Sequence, residues 1–454
     1  MLVSVACGTF MATLDSSIVN IALPTLTQTL STDLYRVKWV IIIYLLVITC
    51  LLLPFGRLSD QYGRKTVFQA GFITFIVGSA LCGFSPSLTW LVIFRVVQAL
   101  GASMLMANGP AIITATFPSS ERGGALGTMA MVVSAGLISG PSIGGILISS
   151  LGWRSIFWVN LPVGLLGAYF VHRFVKADLL PPQQKAPFDW VGAILQTIVL
   201  VCFIVLFDPP NISISGSIPF PLSRWLIGAV TVIFGAIFIR VEKDARAPLL
   251  DLTLLQSRTF WTANLAGFFT FVAFSSVTVL MPFFLQGVMH FPPHTAGIFM
   301  TAIPFTIFIV APISGRLSDR MGTQGLSFAG ALVGALALLL MSGALGKGIH
   351  EHITGLGIVL FLSSIGLATG LFQSPNNNAI MSAVPQSKLG VASALLATVR
   401  NLGLVTGTGL ATSLFNWRMT VTNDFVGSLH FTHFIAAMIG VGAMFAALGK
   451  RQEF

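Results

Sequence analysis

The chain reads as long apolar runs separated by short polar segments. Fourteen runs are legible, at approximately 2–27, 39–56, 66–84, 88–112, 124–150, 155–174, 188–207, 223–241, 259–288, 294–314, 325–346, 354–378, 389–414 and 430–449. At about 1.5 Å of rise per residue, each is long enough to cross a hydrocarbon core of about 30 Å. Only helices and closed barrels satisfy their backbone in lipid, and these runs lack the alternation of barrel strands. The pattern predicts an all-α membrane protein with fourteen transmembrane helices. The first run carries no charged segment ahead of it and leads into a polar motif, so it is expected to be a span and not a cleaved leader.

Composition excludes the alternatives. Charged residues make up 8% of 454 residues, where a soluble domain carries about 25%. No water-facing surface can be built from so few, which excludes a soluble enzyme, a disordered chain and a disulfide-stapled secreted domain. The net charge of +10 does not point to nucleic acid, because its positive residues cluster in short loops between spans. With the N-terminus inside, sixteen Lys and Arg fall in inner segments and six in outer loops, and Arg95 and Arg400 fall within spans. That bias predicts cytoplasmic termini. Cys7, Cys50, Cys82 and Cys202 sit in apolar stretches without metal-ligand spacing. No phosphate-binding Gly-Lys loop, nucleophile triad or metal motif occurs, so no enzyme activity, cofactor, metal or ATP dependence is expected.

One segment recurs. Gly56-Arg57-Leu58-Ser59-Asp60-Gln61-Tyr62-Gly63-Arg64-Lys65 follows the second run, and Gly315-Arg316-Leu317-Ser318-Asp319-Arg320-Met321-Gly322 follows the tenth, 259 positions later. The repeat predicts two six-helix bundles of common ancestry, residues 1–178 and 251–454, with an inserted helix pair in 179–250. In both copies the Arg and Asp are expected in an inner loop. There Gly56, Arg57, Asp60, Gly63, Arg64, Lys65 and Asp319 would act as a conformational latch, or serve as a plain topology signal.

Further motifs lie at matching span positions: Leu14-Asp15-Ser16-Ser17-Ile18-Val19-Asn20-Ile21-Ala22-Leu23-Pro24 in the first, Arg95-Val96-Val97-Gln98-Ala99-Leu100-Gly101 in the fourth, and Gly136 to Gly145 with Gly140-Pro141 in the fifth. Trp153-Arg154 with Phe157, Asn160, Pro162 and Gly164 opens the sixth. In this order, together with the repeated loop, they resemble the major facilitator superfamily and within it the 14-span drug/proton antiporters. Ser17 stands where Thr is usual and Ala99 where Gly is usual, and the second loop copy departs after Gly322. The resemblance implies proton-driven efflux of lipophilic compounds, with protons, a small lipophilic substrate and membrane lipid as partners. It further implies a monomer in a bacterial inner membrane.

Of the acids, Asp15 alone lies deep in a run. Placing Asp at a helix centre costs about 2.5–3.5 kcal/mol, and such residues mark proton and ion pathways. Arg95 lies at a similar depth, so the two are expected to pair, with proton coupling as the functional reading and a permanent ion pair as the structural one. Ser16, Ser17 and Asn20 are candidate hydrogen-bond partners of Asp15. In the coupling reading, a cationic substrate competes with Arg95 for the carboxylate. Glycines at four-residue spacing in span five, Gly136, Gly140 and Gly144, with Gly145 and Pro141, predict a close-packed antiporter seam between the bundles. Asn20, Gln98, Phe268, Phe271, Gln286, Gln373, Arg400 and Asn401 are the candidate cavity lining. Three placements are open to Arg400: facing the cavity, where it disfavours dications, bonding to backbone carbonyls, or approaching Asp15 in one state. The expected function is proton-coupled efflux by alternating access. The alternative is an exporter or flippase of an endogenous lipid or metabolite in the same fold, and a non-transporting sensor is the weakest reading.

Overall fold

A computed structural model describes residues 2–116, 119–175, 188–207, 220–245, 249, 252–343, 354–385 and 389–449. The fold is all-α. The N-terminal bundle comprises α1 (Leu2–Thr29), α2 (Trp39–Tyr62), α3 (Arg64–Gly83), α4 (Leu88–Thr116), α5 (Ser119–Leu151) and α6 (Asn160–Phe174, after a short Ser155–Trp158 turn of helix). The inserted pair is α7 (Trp190–Phe207) and α8 (Phe220–Asp244). The C-terminal bundle comprises α9 (Arg258–Phe283), α10 (Ala302–Met321, after a short Pro293–Met300 helix), α11 (Thr323–Met341), α12 (Gly355–Ser382), α13 (Leu389–Thr422) and α14 (Phe425–Leu448).

Among the described residues, thirteen spans meet the length and hydropathy needed to cross a membrane. The long helix outside that set is α13, which at 34 residues is long enough but carries Arg400 and Asn401 in its middle.

The repeated loop is mostly helix. α2 continues through Gly56-Arg57-Leu58-Ser59 to Tyr62, and α10 continues through the second copy to Met321. Each helix stops at one glycine in the positive-φ region, Gly63 (φ 93) and Gly322 (φ 83), and the next helix begins at the following residue. A side chain at either position is strained, so the chain turns there. Ser59 and Ser318, at equivalent places, donate to the Gly56 and Gly315 carbonyls at 2.7 Å. The repeat is therefore one of backbone geometry as well as of letters.

Packing differs between the two ends of the molecule. At the end away from the repeated turns, one apolar core runs through both bundles: Ile18, Ile21 and Leu23 of α1 join Val277 and Leu280 of α9 and Ile303 of α10. At the turn end the cores separate. Val5, Phe68, Phe72 and Val171 form one, and Phe260, Ala263, Ile380 and Ala392 form another. Ala397 of α13 reaches the edge of the first. α7 covers one side of the junction through Leu200, Val201 and Ile204, which pack with Ile42 and Leu46 of α2 and Val405 of α13. Among the described residues, the bundles thus share a core at one end and keep largely separate cores at the other.

Candidate functional site

Asp15, in the middle of α1, is completely enclosed. Arg95 of α4 donates to Asp15 Oδ2 at 2.5 Å, while Gln98 of α4 (2.8 Å) and Asn160 of α6 (3.0 Å) donate to Oδ1. Arg95 is 1% exposed. It also donates to Gln98 Oε1 at 2.7 Å and to the Val40 carbonyl of α2 at 3.0 Å, and its guanidinium lies 3.9 Å from the Tyr44 ring centroid. Ser79 of α3 receives donors from Gln98 and Asn160, both at 3.0 Å, and donates to the Phe157 carbonyl at 2.8 Å. Five of the six helices in the N-terminal bundle are tied to one carboxylate. A buried charge pair persists when its remaining donors and acceptors are satisfied in this way.

The pairing of Asp15 with Arg95 has the depth match that the sequence suggests, but its surroundings differ from expectation. Ser16, Ser17 and Asn20 do not reach Asp15: they bond to the Thr13, Leu14 and Ser16 carbonyls of their own helix. Such side chains find the carbonyl three or four residues back along their own helix first. Gln98 is not cavity lining, since it is fully buried on Asp15. Direct competition between substrate and Arg95 does not fit the geometry, because both charges are sealed inside one bundle. Asn160, Ser79 and Tyr44 are the members that sequence reasoning missed. Asn160 stands in the span-six motif, and its place there was the available signal.

The span-five face is divided between two neighbours. A Cβ on Gly140 would fall on Ser17 Oγ, one on Gly136 on Thr13 Oγ1, and one on Gly144 would sit 2.6 Å from Ile18 Cγ1. These three glycines therefore pack α5 against α1 inside the N-terminal bundle, not between bundles as expected. The crossing belongs to the next residues around the helix. A Cβ on Gly145 would lie 2.5 Å from the Pro293 carbonyl oxygen, one on Gly297 would strike the Pro141 carbonyl, and Ser142 shares a 2.5 Å hydrogen bond with Thr301. Gln286, in the π-helical turn Phe284–Val288 that follows α9, adds a bond to the Ile21 carbonyl of α1 at 3.0 Å. Its role is thus a tie across the closed end.

The C-terminal bundle has an open recess between α9, α12 and α13. Asn264, Gly267 and Phe271 come from one face of α9, Asn376, Asn377 and Ile380 from α12, and Leu396, Val399 and Arg400 from α13. Gln373 lies half-buried one turn from Asn377 on the same helix face. Asn401 is buried beside Arg400 with its amide nitrogen unpartnered. Phe268 turns away from the pocket to Phe203 of α7, with ring centroids 6.2 Å apart. Asn20 is half-buried on its own helix.

Two six-helix bundles, an inserted helix pair and a buried carboxylate inside the first bundle make up the framework of the site. The profile described as Major Facilitator Superfamily matches residues 5–408. The chain belongs to that superfamily. It is 34% identical over 430 residues to "Riboflavin transporter RibZ" of Clostridioides difficile, covering 93% of this chain and 90% of the relative. It is 29% identical over 413 residues to "Multidrug transporter protein MdtP" of Bacillus subtilis, covering 90% and 74%. It is also 29% identical to "Tetracenomycin C resistance and export protein" of Streptomyces glaucescens, over 90% and 74% of the two chains. A solved POT family transporter in complex with a thioalcohol-conjugated peptide has the same fold, with a TM-score of 0.72 at 14% identity over 97% of this chain and 94% of that one. This is a multi-pass membrane transporter and not an enzyme.

In this superfamily member the latch residues serve the bundle. Arg64, at the start of α3, donates to the Ala111 carbonyl of α4 at 2.9 Å, and Lys65 to the His172 carbonyl near the end of α6 at 3.2 Å. Cations there complement the negative helix ends. Gly56 has open space around it, and Arg57 is half-buried. The side chains of Asp60 and Asp319 lie outside the described residues.

Proposed function

We propose that the protein exports an amphipathic small molecule in exchange for protons by alternating access, with Asp15 and Arg95 as the proton switch. One observation carries the reading. Among the described residues the two bundles share one core at the end away from the Arg- and Lys-rich turns and hold separate cores at the turn end, while Asp15 is paired with Arg95. If the turn end is cytoplasmic, as the positive-inside bias indicates, this is the stage at which a proton has been released inward and the substrate pocket faces the cytoplasm. An antiporter must pass through that combination.

Coupling runs through packing. Protonating Asp15 removes the counter-charge of Arg95 inside a sealed bundle, which is unfavourable unless the five helices shift. α1 lies directly on the glycine face of α5, and α5 makes the crossing contacts to the Pro293–Met300 helix. Charge change at Asp15 therefore biases the far-end seam. Relatives with multidrug and export names support outward transport of lipophilic compounds. A second reading has an endogenous metabolite as the substrate, and the similarity to the riboflavin transporter favours it.

The test is transport in proteoliposomes with an imposed pH gradient, across cationic, neutral and anionic dyes. Asp15→Asn is expected to abolish uphill movement while leaving downhill counterflow. Uphill movement by a folded Asp15→Asn protein would refute the switch.

A further inference from the structure

Two arginines lie deep in this protein, and among the described residues one of them is paired. Arg95 has a carboxylate, an amide oxygen, a backbone carbonyl and an aromatic face as partners. Arg400, near the middle of α13, makes no hydrogen bond or ion pair with any described residue and lines the open pocket. An arginine at mid-membrane is costly, and it is usually retained for a pathway or a ligand. A structural role would show as bonds to backbone carbonyls or an acid, and none is present among the described residues. The pocket wall carries no carboxylate. Asp15 cannot neutralise Arg400 here, because it is enclosed in the other bundle with three donors of its own.

The rest of the wall narrows the ligand. Asn264, Asn376 and Asn377 share the recess wall with Arg400, and the Asn376 Oδ1 is buried without a partner while its Nδ2 donates to the Ala263 carbonyl at 3.1 Å. Phe271, Ile380 and Val399 supply apolar surface. Gly267 leaves the α9 wall bare, with only Asn376 Nδ2 near the place of a Cβ, at 3.4 Å. A cation meets an unneutralised guanidinium in this pocket. A carboxylate gains a charge-assisted bidentate partner from it.

We propose that the C-terminal pocket is a binding site for an amphipathic organic anion, its carboxylate or equivalent acidic group on Arg400 and its flat apolar body against Phe271 and the α12–α13 wall. This gives the transporter reading a substrate class and rests on it for the direction of movement, but not for binding. The specificity residue is Arg400, and Gly267 leaves the α9 side of the open recess without a side chain.

The experiment is equilibrium binding to the purified full chain in lipid nanodiscs without any gradient. The probes are three compounds sharing one ring: 2-naphthoate, 2-naphthamide and 2-naphthylmethylammonium. Wild type is expected to bind the naphthoate at least tenfold more tightly than either analogue. Arg400→Gln should erase that preference while leaving the amide's affinity within about twofold, and Arg400→Lys should restore part of it. Gly267→Leu, which keeps Arg400 but fills the ring space, should weaken all three probes. Equal or tighter binding of the ammonium, an unchanged preference in Arg400→Gln, or no naphthoate binding by monodisperse wild type would each overturn the proposal. A protein that binds naphthoate but moves nothing uphill would instead refute the export reading alone.

Discussion

At the scale of single residues, the decisive feature is how completely Asp15 is satisfied. Its two oxygens take donors from Arg95, Gln98 and Asn160, all buried. Removing one member of such a pair leaves the other charge stranded, at a cost of about 3–5 kcal/mol. Arg95→Met and Asp15→Ala should therefore each lower thermal stability in detergent sharply, and the double variant should recover part of the loss. Additive losses in the double variant would show that the two charges do not act on each other. Asn160→Ala should cost less, about 1–3 kcal/mol, because it strips one donor from an oxygen that keeps another. The depth of Asp15 and Arg95 was legible in the sequence, since a charge in an apolar run has a position along the helix. Their remaining partners were not. Ser79 and Tyr44 look like ordinary span residues until the helices are placed side by side, and Ser16 and Asn20 were drawn off by their own helix carbonyls.

At the scale of elements, the glycines of α5 show why spacing alone did not identify the partner. A face of small residues states that a helix approaches closely, but not which helix. Gly136, Gly140 and Gly144 point to α1, and Gly145, displaced around the helix, points to the other bundle. The C-terminal bundle repeats the device: a Cβ on Gly403 would lie 2.9 Å from the Phe268 carbonyl of α9, and one on Gly407 would strike that of Val272. Gly140→Leu should separate α1 from α5, lower stability and abolish transport, whereas Gly287→Ala, with open space around it, should be silent. Equal transport by both variants would remove the α1–α5 contact from the mechanism. Gly63→Ala tests the turn. At φ 93 a side chain costs about 1–3 kcal/mol, so thermal stability should fall even though the position is near the surface. The sequence marked Gly63 and Gly322 as repeated letters in loops. Their neighbours proved helical because α2 and α10 need only one residue to reverse.

At the scale of the whole molecule, the fold was readable from hydropathy and the repeat, because lipid leaves few ways to satisfy a backbone. Which end is closed was not readable. It depends on contacts between elements distant in sequence, such as Ser142 with Thr301 and Gln286 with Ile21. Those contacts make a prediction about motion. With the native cysteines replaced, Ser142→Cys with Thr301→Cys should form a disulfide under oxidation, stop transport, and recover on reduction. Continued transport by the oxidised, fully cross-linked protein would mean that this seam does not open.

The same cross-link offers the most direct test of the central claim, that the charge on Asp15 is tied to the state of the seam. Infrared difference spectroscopy between oxidised and reduced protein, with Asp15→Asn subtracted, reports whether the Asp15 carboxyl holds a proton. The account predicts no protonated carboxyl band in the locked protein and its appearance, at acidic external pH, once reduction frees the seam. A band that is the same in both states would contradict it.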